Sequence, residues 1–255
     1  VSRSSFRPLL TAWRFLTIIP LGHGHHDPSP AELARSMGWY PVIGCLIGGL
    51  LVLCDTVLSL AFEPMVENLL LLLILVGTTG ALHQDGLADT LDGIAGGRKP
   101  AERLSIMRDP HIGAIGTIGL ILDLALRYAG LVALPSSVRL SVLLCLPAVG
   151  RWAMVVGAWG TPYARAEGGL AAPFLRELTW RQVLGATAVL LAVVGWAVGP
   201  IGALLGCGLA ALMARGVARS ARALLGGTTG DVLGATNELV EILFLLTMPL
   251  LLMLR

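Results

Sequence analysis

Three aspartates, Asp85, Asp89 and Asp92, fall within HQDGLADTLDG, directly after a run of almost uninterrupted leucine. Their i, i+4, i+7 spacing puts them within roughly a 60° arc of one helix face, provided the helix continues through Gly86 and Gly93. Carboxylates so placed repel one another. A divalent cation relieves that repulsion, and hard oxygen donors favour Mg²⁺ or Mn²⁺. The plainer reading is a solvated acidic turn at a helix end. The metal reading is preferred because Arg98, Lys99, Arg103 and Arg108 follow. Acids followed by bases suit a metal-bridged phosphate ester or diphosphate, the metal neutralising phosphoryl oxygens while guanidinium groups hold the rest. Such transfers are accelerated mainly by positioning and charge neutralisation.

Two further clusters could take part. MRDPHIGAIG, 107–116, holds Asp109 before Pro110, which reads equally as a helix cap and as a catalytic carboxylate. His111 is a proton shuttle or a structural histidine. GGTTGDVLGATNELVE, 226–241, joins a glycine-rich turn to a helix N-terminus, an anion cradle of backbone N–H groups. Asp231, Asn237, Glu238 and Glu241 add oxygen atoms there, and Glu241, carried into an apolar helix, is read as functional. Arg151 is assigned to phosphate in preference to snorkelling, whereas Asp123 and Arg127, four apart, are read as a structural pair. HGHHD, 23–27, is set aside as incidental.

These residues must be positioned by helices in a bilayer. Of the 255 residues 55% are hydrophobic and 13% charged, and the mean hydropathy is +0.80, outside the soluble range. About seven apolar runs are long enough for a core of ~30 Å, at approximately 41–62, 66–82, 113–134, 138–158, 182–198, 200–215 and 236–254. Phe6 to Pro20 is expected to lie in the interface, since Arg7 and Arg14 interrupt its apolar pattern, and it is not read as a cleaved signal peptide. The expected fold is therefore all-α and polytopic, one integral-membrane domain over 1–255, with an N-terminal interfacial helix. If the spans alternate, the long connections carry the basic residues and the connectors near 63–65, 135–137 and 199 carry none. The positive-inside rule then makes the long loops cytoplasmic. A net charge of +2 offers nucleic acid no general attraction. Cys45, Cys54, Cys145 and Cys207 lie in apolar runs without metal-binding spacing and read as packing residues. Glycine-rich GCLIGGLL, GAIGTIGL and GALLGCGL let helices approach closely.

HQDGLADTLDG, IMRDPHIGAIG (106–116) and TGDVLGATNELVE (229–241), with YPVIGCLIGG (40–49), resemble the adenosylcobinamide-GDP ribazoletransferases, the cobalamin synthase family, over nearly the whole chain. FLTIIP, 15–20, departs from the pattern, many members having a basic residue near Ile18. The resemblance implies a multi-pass, Mg²⁺-dependent enzyme of the bacterial inner membrane. It would join adenosylcobinamide-GDP to α-ribazole or its 5′-phosphate and release GMP. It implies a metal on Asp85, Asp89 and Asp92, a base such as Asp109, and substrate contacts from His83, Arg98, Arg108, Arg151, Asp231, Asn237, Glu238 and Glu241. The expected partners are these substrates and the lipid bilayer, with a homo-oligomer or an association with other corrinoid-pathway enzymes also entertained. The rivals weighed are a CDP-alcohol phosphotransferase, a prenyltransferase and a cation transporter.

Overall fold

Backbone in hydrocarbon must bond its own N–H and C=O groups, which a helix does within one segment. The computed structural model describes residues 6–21 and 27–253, and the chain there is built of helices with one isolated bridge, Tyr163 to Thr228. His23 to His26 of the histidine-rich stretch lie outside the described residues. In chain order the helices are α1 (Arg7–Leu16), α2 (Pro30–Ser36), α3 (Tyr40–Leu58), α4 (Pro64–Thr79), α5 (Leu82–Gly96), α6 (Pro100–Ile106), α7 (Ala114–Val132), α8 (Ser136–Ala158), α9 (Ala172–Arg176), α10 (Trp180–Leu225) and α11 (Gly230–Met253).

Among the described residues five helices are long and apolar enough to cross a bilayer, or six if α4 and α5, bent by 86°, form one broken crossing. That number is lower than the seven apolar runs for a local reason. Runs 182–198 and 200–215 belong to one helical element of 46 residues that breaks at Gly199, whose φ of 78° and ψ of 164° are not helical. The chain doubles back there. Trp152 of α8 donates to Thr187 at 2.9 Å, while the carbonyls of Val156 and Trp159 accept from Arg215 at 3.2 and 2.6 Å. A straight helix would separate Thr187 from Arg215 by roughly 40 Å, so both can meet one end of α8 only if the two arms lie side by side. A Cβ added at Gly195 would stand 4.0 Å from that of Ala203, across the turn.

α8 is the central element, buried from Val142 to Val155 except at the half-buried Leu144. α3 lies against it through Gly44 and Gly48. A Cβ at Gly48 would stand 2.1 Å from the Leu144 carbonyl oxygen, so the two backbones are in direct contact. The amphipathic α1 packs beneath, with Ala12 and Leu16 buried and Arg7 and Arg14 exposed.

The two ends of the bundle differ. At one, Arg139 bonds Asp55 (2.7 Å), Glu67 (3.1 Å) and Asn68 (2.7 Å), tying α8 to α3 and α4. This arginine was not anticipated at the end carrying the short connectors, and two carboxylates neutralise it. At the other end gather α1, the α5–α7 connection, the loop between α8 and α10, and the turn before α11.

Candidate active site

The site is built on α5, and α5 is aimed by the bend before it. Gly80 and Ala81 are both left-handed, with φ of 62° and 57°, and their N–H groups bond back to Gly77 and Val76 at 3.2 and 3.0 Å. For alanine this conformation costs about 1–2 kcal/mol, which the surrounding packing must offset. A Cβ at Gly80 would also stand 2.5 Å from Ile18 Cγ2, an exposed side chain that would have to shift. Beyond the bend, Gly86 lets α5 meet α11 backbone to backbone, its added Cβ being 2.9 Å from Asp231 Cα. His83 and Gln84 are thereby buried, Asp85 is exposed and Asp89 half-buried.

The three expected metal ligands are not brought to one point. Asp85 and Asp89 line a cavity together with Arg108, Asp109 and Pro110. Asp92 instead accepts the N–H groups of Gly113 and Gly116 through its two oxygens, both at 2.7 Å. It is the cap of α7, supplied from another helix because Gly113 has no side chain to do it. Asp109, one of whose expected roles was that cap, precedes the helix start and holds a turn, accepting from the backbone N–H of His111 at 2.9 Å. Among the described residues no three acidic, histidine or cysteine side chains form a ready-made metal cluster. Burial, and then the nearby charges of Asp85 and Asp231, push the Asp89 carboxyl up to about 6, with Arg165 opposing. Two hard carboxylates one helical turn apart still suit Mg²⁺, which keeps several waters and takes few protein ligands alongside phosphate.

The basic residues expected at the site separate. Arg108 lines the cavity and pairs with Glu167 at 2.6 Å, joining the α6–α7 turn to the loop after α8. Arg98 is exposed at the start of α6, where its backbone N–H bonds Glu102 at 3.0 Å. Asp109 lies 2.6 Å from His111 Nδ1, and these contacts hold its carboxyl below the usual range. That makes it a weak base.

Arg151, Asn237, Glu238 and Glu241 are in the bundle interior and do not line the cavity of Asp85 and Asp89. Arg127 bonds Asp123 (3.0 Å), Glu238 (2.6 Å) and Glu241 (2.5 Å), and Arg151 pairs with Glu241. Asn237 donates to Glu238 at 2.8 Å and to Glu241 at 3.1 Å. Gln84 reaches this network at Glu238 with a 2.8 Å hydrogen bond, and His83 Nδ1 stands 3.9 Å from the same carboxylate. The expected pair of Asp123 and Arg127 is present, enlarged to a network that ties α5, α7, α8 and α11 together. Two guanidinium groups and three carboxylates are buried there together, so removing one partner would leave a charge of the other sign uncompensated. The direct substrate contacts expected of Arg151 and Glu241 are not seen in this enclosure: the two side chains pair with each other, and the Arg151 Nε is left without a partner.

Residues 8–249 match the CobS family, described as Cobalamin-5-phosphate synthase. The chain belongs to the CobS family. It is 39% identical over 92% of its length to an adenosylcobinamide-GDP ribazoletransferase of Syntrophobacter fumaroxidans, 95% of which is covered. Proteins of the same name from Desulfitobacterium hafniense (38%, covering 95% of this chain and 96% of that one) and Pseudomonas syringae pv. syringae (40%, 96% and 99%) are similar to it along nearly their whole lengths. No solved structure matches the chain significantly.

This CobS-family chain adds residues to the site that the motifs did not single out. Arg165 is bonded to Asp231 at 3.0 Å, and Tyr163 lies beside it. Their loop is held by a short two-way bridge to the turn before α11: Ala164 donates to Thr228 at 2.9 Å and Thr228 to Pro162 at 2.8 Å. Gly227 permits it, for a Cβ there would stand 2.3 Å from the Pro162 oxygen. In sequence Arg165 is one basic loop residue among several, and only this long-range pairing distinguishes it.

Proposed function

We propose that the chain is an adenosylcobinamide-GDP ribazoletransferase of the bacterial inner membrane, joining adenosylcobinamide-GDP to α-ribazole or its 5′-phosphate and releasing GMP. Family membership and the names of the relatives support the reaction. The observation that carries the assignment to residues is the cavity in which Asp85 and Asp89 face Arg108 and Asp109. Asp85 and Asp89 would hold Mg²⁺, which, when bound, supplies positive charge to diphosphate oxygens. Arg108 steadies the remaining oxygens. The ribose hydroxyl oxygen of the acceptor bonds to the phosphorus on the cobinamide side. The bond from that phosphorus to the bridging oxygen breaks, and GMP leaves with the electron pair. The hydroxyl proton is released to water at the exposed side of the cavity, since Asp109 is held too acidic to keep it.

The cytoplasmic orientation is supported by the gathering of the basic loops at the end of the bundle that holds the cavity. If α4 counts as one crossing and the two arms of α10 as two, the α5–α7 connection, the loop after α8 and the turn before α11 all fall on one side. A cation-transport reading is disfavoured because Arg127 and Arg151 already occupy the acids of the bundle interior.

The test is GMP release from adenosylcobinamide-GDP by purified protein in nanodiscs. Asp85→Asn and Asp89→Asn are each expected to cut turnover at least a hundredfold with normal membrane insertion. Wild-type turnover in both would refute the assignment of the metal to these residues. Release of CMP from a CDP-lipid, without GMP release, would replace the reaction itself.

A further inference from the structure

Asp85 is a wall common to two cavities. One is the charged opening past Asp89 and Arg108. The other lies across α5, between the loop after α8 and the first turn of α11, and is lined by Phe15, His83, Met154, Tyr163, Arg165 and Asp231 among others. A transferase with two substrates needs pockets that meet where the new bond forms, and Asp85 marks such a meeting point.

We propose that the second cavity binds the acceptor nucleoside, its flat aromatic base against Phe15, Met154 and Tyr163 and its 5′-phosphate on Arg165 and the N-terminus of α11. The proposal rests on the transfer reaction put forward above and adds which pocket takes which substrate.

Arg165 carries the phosphate half of the argument. Its side chain is 12% exposed, Nη2 bonds Asp231 at 3.0 Å, and Nε is buried with no hydrogen-bond partner. A buried guanidinium donor left unpaired is costly, and an anion in the adjoining cavity would satisfy it. The first turn of α11, Gly230 and Asp231, lines the same cavity, and helix N-termini favour phosphate. His83 supplies a second unsatisfied group: its side chain is 2% exposed, and Nε2 has no partner. This unpartnered atom belongs to a residue in the wall of the same cavity.

The other half of the lining is apolar and aromatic. Phe15 is fixed there by Phe174, with ring centroids 4.9 Å apart, so a hydrophobic wall is already formed for a planar base. The Asp89 cavity differs in kind. Its carboxylates and Arg108 suit the diphosphate of the larger substrate.

The deciding measurement is a set of KM values in nanodiscs for adenosylcobinamide-GDP, α-ribazole and α-ribazole 5′-phosphate. Arg165→Lys keeps a cation beside Asp231 but loses the fork of donors. It is expected to raise KM for the phosphorylated acceptor tenfold or more, with a much smaller rise for α-ribazole and less than a twofold change for adenosylcobinamide-GDP. Tyr163→Ala, which leaves the backbone bridge to Thr228 in place, is expected to raise KM for both acceptors together. Equal rises for the two acceptors in Arg165→Lys, or a rise chiefly for adenosylcobinamide-GDP in either variant, would overturn the subsite. GMP release by the wild-type protein in the same assay separates that result from failure of the reaction, since it would persist with the subsite wrong and vanish with the reaction wrong.

Discussion

Asp89 gives up its proton less readily than an ordinary aspartate because it is half-buried and faces Asp85 and Asp231. Its pKa, pushed from 3.8 to about 6, has a definite consequence for stability. Between these values the folded protein holds a proton that the unfolded chain has released, so stability falls as pH rises through the window. In chelator, the midpoint of thermal unfolding should therefore decline from pH 4 to 6.5 more steeply in the wild type than in Asp89→Asn. Identical slopes would show that Asp89 is not strained by its neighbours. Asp92 is of the same residue type on the same helix, yet its charge is answered by two N–H groups of α7. Asp92→Ala should accordingly destabilise the protein by about 0.5–2 kcal/mol, the usual worth of a helix cap. At a temperature where it remains folded, the variant should retain more turnover than Asp85→Asn or Asp89→Asn. Spacing could place the three acids on one face, but it could not reveal that the third would be taken by a neighbouring helix whose own cap residue is glycine.

The helices were legible where apolar length defines them, and less so where they bend. Runs 113–134 and 138–158 correspond closely to α7 and α8. α11 begins at Gly230 instead of near 236, because a polar first turn is paired by Arg165 and Thr229 rather than left to water. The α4–α5 corner depends on two left-handed residues, one of them alanine, and nothing in the local composition demands that. In sequence the glycine-rich GCLIGGLL stretch offers a surface for close helix approach, and Gly44 and Gly48 do meet α8 backbone to backbone. Gly48→Leu should therefore lower stability by about 1–3 kcal/mol or more, since the obstruction is the Leu144 carbonyl and cannot rotate away. Denaturation in mixed micelles would measure it. A comparable substitution at Gly49, where a Cβ meets nothing within 4 Å, is the control and should have little effect.

At the scale of the molecule, the long connections form one active face and the short ones bind the opposite end through Arg139. If the active face is cytoplasmic, as proposed, Leu170→Cys should react with a membrane-impermeant maleimide in inverted vesicles and not in intact spheroplasts. Leu60→Cys should behave oppositely; these positions are 78% and 85% exposed, so access is decided by the membrane. The reverse pattern would place the cavity outside the cell and exclude cytosolic nucleotides as substrates. The sequence by itself determined that the chain is a helical membrane protein, that its acids and bases cluster between spans, and that its motifs are those of one enzyme family. These properties follow from composition and short-range spacing, which the bilayer reads directly as length and polarity. Only the tertiary structure decided that Asp92 is a cap, that Arg151 and Glu241 answer each other's charge, and that Arg165 joins Asp231 beside the site. Those roles depend on which groups remain unpaired after the helices pack, and in a low-dielectric interior the identity of the partner, more than the residue type, sets what a charge can do.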